Sequence, residues 1–188
     1  MNLPNQITIG RLAAVPFFAA ALLLYGRTGN PVYYGAALVI FVLAVISDGL
    51  DGYLARSRNQ QTRLGTFLDP LADKFLLDCA LVILALGMGN LYRIPAWFAG
   101  VVIARDLVLL ALAIRFHSRW DRGEVRIRPS IWGKTSAVLV MAIVIWVLIH
   151  PSGPPLMITR FALYLTAGLT VVSGVLYFLD VRRAEASR

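Results

Sequence analysis

Six stretches of mostly apolar residues dominate the chain: Ile7–Tyr25, Tyr33–Ala55, Leu64–Leu86, Pro95–Phe116, Ile131–Ile149 and Met157–Leu179. Each is close to the ~20 residues that a helix needs to cross the hydrocarbon layer of a bilayer. Hydrophobic residues make up 59% of the 188, and charged residues only 15%. A soluble globule of this size has no core large enough to hide so much apolar surface. Turn chemistry at Gly26–Pro31, Gly87–Asn90 and Pro151–Pro155 separates several of the stretches. The expected fold is an all-α integral membrane protein, one domain over residues 1–188 with six transmembrane helices. Met1–Gln6 is too short and uncharged for the n-region of a signal peptide, so the first span is expected to be retained. A single cysteine, Cys79, excludes a disulfide scaffold.

The net charge of +8 does not point to nucleic acid, because the basic residues lie between the apolar stretches. Membrane lipid headgroups, phosphorylated substrates and topology signals account for them. The segments Arg56–Arg63 and Arg115–Arg128 hold three and five arginines, and the C-terminal tail adds Arg182, Arg183 and Arg188. The opposite connections offer only Arg27, Arg93 and Arg160. The positive-inside rule therefore puts both termini and the two arginine-rich segments on the cytoplasmic side of the cell's inner (plasma) membrane.

Six of the ten acidic residues lie inside or at the ends of apolar stretches: Asp48, Asp51, Asp69, Asp73, Asp78 and Asp106. A carboxylate at mid-bilayer costs ~2.5–3.5 kcal/mol even on the lenient insertion scale, which marks such residues as functional candidates. Asp48 and Asp51 end the second span, and Asp69 and Asp73 begin the third. At ~100° per residue, Asp48, Asp51, Gly52 and Ala55 share one helical face, as do Gly65, Asp69, Ala72 and Asp73. Four carboxylates brought together would repel one another unless divalent cations offset their charge. Aspartate oxygens suit Mg²⁺ or Mn²⁺. The glycines and alanines leave room for a large group, and Arg56 is placed to meet a phosphate. Ion pairing between helices would explain one such aspartate, but it does not explain two pairs flanked by matching small residues. Asp78 lies about 140° round the helix from Asp73 and reads as a packing residue. Cys79, His117 and His150 have no partners at ligand spacing, and the Trp and Tyr residues read mostly as interfacial anchors.

Asp48-Gly-Leu-Asp51-Gly52-Tyr-Leu-Ala55-Arg56, eight residues, then Gly65-Thr-Phe-Leu-Asp69-Pro-Leu-Ala-Asp73 resembles the signature of the CDP-alcohol phosphatidyltransferases at every fixed position. Leu3 to Arg11 is similar to that family's amphipathic N-terminal segment, and Leu68 to Lys74 to its glycerophospholipid branch. Six spans also suit the family. The resemblance implies that Asp48, Asp51, Asp69 and Asp73 hold two divalent cations on the diphosphate of a CDP-linked lipid. It implies that Asp73 is also the general base for the acceptor hydroxyl. Gly52, Ala55, Arg56 and Gly65 would receive the CDP-lipid, CMP would leave, and the protein would be a homodimer.

The acceptor is read from the remaining cations. Arg105 sits beside Asp106 inside the fourth span, and neighbours on a helix point about 100° apart, so a mutual pair is not expected. Arg105, Lys134, Arg119 and Arg122 are the candidate ligands of an acceptor phosphate. Glycerol 3-phosphate is the expected acceptor, with phosphatidylglycerol as the alternative. Gly133-Lys134-Thr135 is similar to the branch using the first, whereas Arg105-Asp106 and Arg128-Pro129-Ser130 are similar to the branch using the second. Inositol phosphate, inositol and serine are less favoured. A carboxylate-based transporter would place its charges near the midplane of a repeated fold, and no internal repeat is visible.

Overall fold

The computed structural model describes the backbone of residues 3–58, 63–120, 131–150 and 153–186, and side chains at 10–47, 74–112, 131–150, 153–180 and 182. Among the described residues there are six α-helices and no strand: α1 (Leu3–Thr28), α2 (Pro31–Arg58), α3 (Arg63–Leu86), α4 (Ala96–Trp120), α5 (Ile131–Ile149) and α6 (Leu156–Ala186). Each expected span lies on one helix, and α6 runs well past its span into the basic tail. A helix satisfies its own backbone groups, so it has no reason to stop where the apolar residues stop. Ile131–Ile149 and Leu156–Asp180 are long and apolar enough to cross a membrane, and Pro31–Ser47 is apolar over a shorter length. The N-terminal segment is not separate from the first span, because α1 is continuous. Arg11 is turned inward and buried while Leu12 is exposed.

The turn from α1 to α2 is written in three residues. Gly29 takes a left-handed conformation (φ 68°), and its N–H donates to the Tyr25 carbonyl at 2.8 Å. Asn30 caps α2 through its Oδ1, which accepts from the Val32 N–H at 3.0 Å. Pro31 occupies the first helical position, where no backbone donor is needed.

The helices group into two compact units. The first comprises Met1–Ala96 and Val144–Pro154, with α1 packed against α2 and α3. Its core holds Phe18 and Leu22 of α1, the stripe Tyr34, Ala37, Phe41 and Ala44 of α2, and Leu77, Leu81 and Leu84 of α3. The Phe18 and Phe41 rings lie 5.5 Å apart. Tyr25 and Tyr34 differ from the interfacial role expected of the aromatics. Both are buried, their rings 4.5 Å apart, because the tight α1–α2 turn brings them together. The Tyr34 hydroxyl donates to the Val147 carbonyl at 3.0 Å. Tyr34→Phe is expected to destabilise the protein by about 0.5–1.5 kcal/mol, the usual net worth of such a bond. The lower half of that range is favoured because the Val147 carbonyl also accepts from the His150 N–H at 3.2 Å. Thermal unfolding in detergent would read this, and an unchanged midpoint would mean the hydroxyl contributes nothing.

The second unit comprises Trp97–Ile143 and Pro155–Arg188. Phe98, Val102 and Asp106 of α4 are buried at four-residue spacing. Beside one larger residue, Leu163, the buried seam of α6 is mostly small and polar, with Thr159, Thr166, Ala167, Thr170 and Ser173. Such residues let membrane helices approach closely and bond across the gap. In both units apolar side chains also face outward, among them Phe17, Val39, Val138 and Phe161. Lipid tails accept that surface, whereas water would not.

Candidate active site

The signature occupies the end of α2 and the start of α3. Helix α2 is unbroken through Asp48, Asp51, Gly52, Ala55 and Arg56, and α3 through Gly65, Asp69 and Asp73. Spacings of three and four residues on continuous helices place the members of each carboxylate pair on one face. Helices α2 and α3 contact each other, and α1 packs against both. The side chains of residues 48–73 lie outside the described residues. The candidate donor set from the sequence is four aspartates with eight carboxylate oxygens. That is hard, anionic oxygen chemistry, which fits Mg²⁺ or Mn²⁺ and does not fit a soft metal.

Arg105 is described in full, and it corrects the expectation that it would not meet its neighbour. Its Nη1 donates to Asp106 Oδ1 at 2.7 Å, with the two side chains 12% and 7% exposed. The Cβ directions do diverge, but the long arginine stem carries the guanidinium back across the helix surface. Its Nη2 approaches three further oxygens: the Gly133 carbonyl at 3.4 Å, Ser136 Oγ at 3.3 Å and Ser173 Oγ at 3.3 Å. Three helices of the second unit thus meet at one guanidinium. Gly133 and Gly174 flank it. A Cβ at Gly133 would stand 3.4 Å from Nη2, and one at Gly174 would stand 3.5 Å from the arginine Cγ.

Lys134 is exposed. It sits about 160° round α5 from Ser136, so the structure does not bring it to the Arg105 cluster. Arg119 is on the last turns of α4 with its side chain outside the described residues, and Arg122 lies outside them altogether. Asp78 and Cys79 are half-buried on α3. His150 closes α5, its Nδ1 2.9 Å from the Trp146 carbonyl. Ser136 and Ser173 were not singled out from the sequence as site residues. A legible signal existed on α6, where hydroxyl and small residues recur at 159, 166, 167, 170, 173 and 174, with Leu163 the one large residue in the stripe.

Helices that carry paired aspartates on two adjoining elements are consistent with the lipid phosphotransferase signature that the sequence resembles. A sequence model of the CDP-alcohol phosphatidyltransferases matches residues 1–172, so the chain belongs to the CDP-alcohol phosphatidyltransferase family and is an enzyme of that class. It is 35% identical over 188 residues to the CDP-diacylglycerol–glycerol-3-phosphate 3-phosphatidyltransferase of Bacillus subtilis (strain 168), covering 94% of this chain and 93% of that one. The proteins of the same name from Pseudomonas fluorescens and Escherichia coli (strain K12) are similar to it too. The first is 36% identical, covering 95% of this chain and 89% of its own length. The second is 31% identical, covering 98% and 96%.

Proposed function

We propose that this enzyme transfers the phosphatidyl group of CDP-diacylglycerol to a hydroxyl of glycerol 3-phosphate and releases CMP. The observation that carries the reading is end-to-end similarity to bacterial proteins named for that reaction. The protein spans the inner membrane six times with its termini and site facing the cytoplasm, as the arginine distribution favours, and it works as a homodimer.

Asp48, Asp51, Asp69 and Asp73 hold two divalent cations, Mg²⁺ or Mn²⁺. When bound, these supply positive charge to the transferring phosphoryl group and to the departing CMP. Gly52, Ala55 and Gly65 leave room for the CDP-lipid against the helix backbone, and Arg56 pairs with a nucleotide phosphate. Asp73 takes the proton from the acceptor hydroxyl. The hydroxyl oxygen then bonds to the lipid-linked phosphorus as the bond from that phosphorus to the CMP oxygen breaks. Arg105 binds the acceptor's phosphate. Lys134, Arg119 and Arg122 add positive charge on the cytoplasmic side.

CMP release by the purified protein in detergent tests the reading, with glycerol 3-phosphate and phosphatidylglycerol offered in parallel. Release is expected with glycerol 3-phosphate alone. EDTA should abolish it, and excess Mg²⁺ or Mn²⁺ should restore it. Release with phosphatidylglycerol alone would make the acceptor a lipid, and EDTA-resistant turnover would remove the metal assignment.

A further inference from the structure

We infer that Ser136 and Ser173 are positioning residues that aim the Arg105 guanidinium at the acceptor's phosphate, an inference that rests on Arg105 being a ligand of that phosphate. A guanidinium has five N–H donors, and a purely structural arginine in a buried place normally has them met. Here the bonding is uneven. Nη1 has a short, charge-assisted bond to Asp106. Nη2 has two N–H groups for three neutral oxygens, all at 3.3–3.4 Å, the long end of hydrogen bonding. Nε is buried with no acceptor among the described residues.

The oxygens are also unequal. Ser136 Oγ donates to the Gly133 carbonyl at 3.0 Å, so these two groups already satisfy each other in part. The Ser173 hydroxyl accepts from Arg105 and has no acceptor for its own proton among the described residues. An unmet Nε–H and an unmet O–H therefore stand on two helices at one guanidinium. Both are donors, so the missing partner is an oxygen acceptor. Anionic oxygens make bonds to a guanidinium roughly twice as strong as neutral ones, so a phosphate oxygen suits the open Nε–H while the serines keep hold of Nη2.

Asp106 makes direction decisive. It cancels the formal charge of Arg105, so the pair attracts an anion weakly through net charge. What remains is a set of N–H vectors, useful only if held in the right plane. Asp106 fixes one end of the fork, and the two serines, from α5 and α6, fix the other. Loss of either hydroxyl lets the fork turn beside Gly133 and Gly174.

Steady-state kinetics on the full-length protein in detergent test this, using Ser136→Ala, Ser173→Ala, Ser173→Thr and Arg105→Lys, with thermal unfolding measured on each. Ser173→Ala is expected to raise KM for glycerol 3-phosphate about five- to tenfold, leaving KM for CDP-diacylglycerol unchanged. Ser136→Ala should act in the same direction, and Ser173→Thr, which keeps the hydroxyl, should stay near the parent. In an Arg105→Lys background, Ser173→Ala should have almost no further effect on KM. If both alanine variants lower the unfolding temperature but leave KM for glycerol 3-phosphate alone, the serines only hold helices together and the inference is overturned. That result, with Arg105→Lys still raising KM, would leave the acceptor-phosphate reading standing. An Arg105→Lys variant with normal KM would instead bring down that reading and the inference with it.

Discussion

Asp73→Asn is expected to bring CMP release down to background, a loss of about 10³-fold or more. General-base catalysis alone contributes about 10²–10⁴-fold, and Asp73 also supplies a carboxylate oxygen to the proposed cation pair. An amide of the same shape can neither take the acceptor's proton nor offset cationic charge. Stability should move the other way or not at all, since four carboxylates on two helices repel one another without cations. The measurement pairs CMP release with thermal unfolding in detergent. Loss of turnover with an intact transition fits the assigned role, whereas retained turnover would take the proton-accepting step away from Asp73. Asp78→Asn is the internal control. It lies about 140° round α3 from Asp73, and its variant should keep turnover whatever it does to stability.

The aspartates stand out in the sequence as candidates because an acid in an apolar run opposes the solvent around it. Four of them at spacings of three and four form a pattern that helix packing alone does not call for. Ser136 and Ser173 lack that contrast. A hydroxyl in a membrane helix can bond its own backbone, as Thr170 does to the Thr166 carbonyl at 2.7 Å. Hydropathy therefore treats a serine that serves another helix like one that serves itself. The Arg105–Asp106 pair was misread for a related reason: Cβ directions settle what short side chains meet, but not where a long arginine ends. Tyr25 and Tyr34 show the limit from the other side. Their places at span ends are those of interfacial anchors, and only the turn through Gly29, Asn30 and Pro31 makes them core. Local chemistry was readable where it conflicted with its solvent, and tertiary partners were not.

The connection after α3 carries the largest expected structural effect. Gly87-Met-Gly89-Asn90 reads as a turn in the sequence, yet its two glycines are not equivalent. Both are left-handed, with φ of 57° and 59°. A Cβ at Gly87 would stand 2.6 Å from Arg93 Cγ and 2.7 Å from Arg93 Cβ; a new rotamer moves the first, but the second moves only with the Arg93 backbone. A Cβ at Gly89 would fall 1.8 Å from the Gly26 carbonyl oxygen, which is α1 backbone. That carbonyl also accepts from the Asn90 N–H at 3.2 Å and from Asn90 Nδ2 at 3.3 Å, so relieving the clash breaks the tie between α1 and the turn. A left-handed alanine costs roughly 1–2 kcal/mol by itself, and the backbone displacement raises the expected total for Gly89→Ala to about 3 kcal/mol or more. Gly87→Ala should cost more than the conformational term, because Arg93 must also shift, but less than Gly89→Ala, whose clash is closer and falls on helix backbone. Unfolding of the two variants in the same detergent separates these contributions. Equal losses would show that the closeness of Gly89 to α1 costs no more than the contact of Gly87 with Arg93.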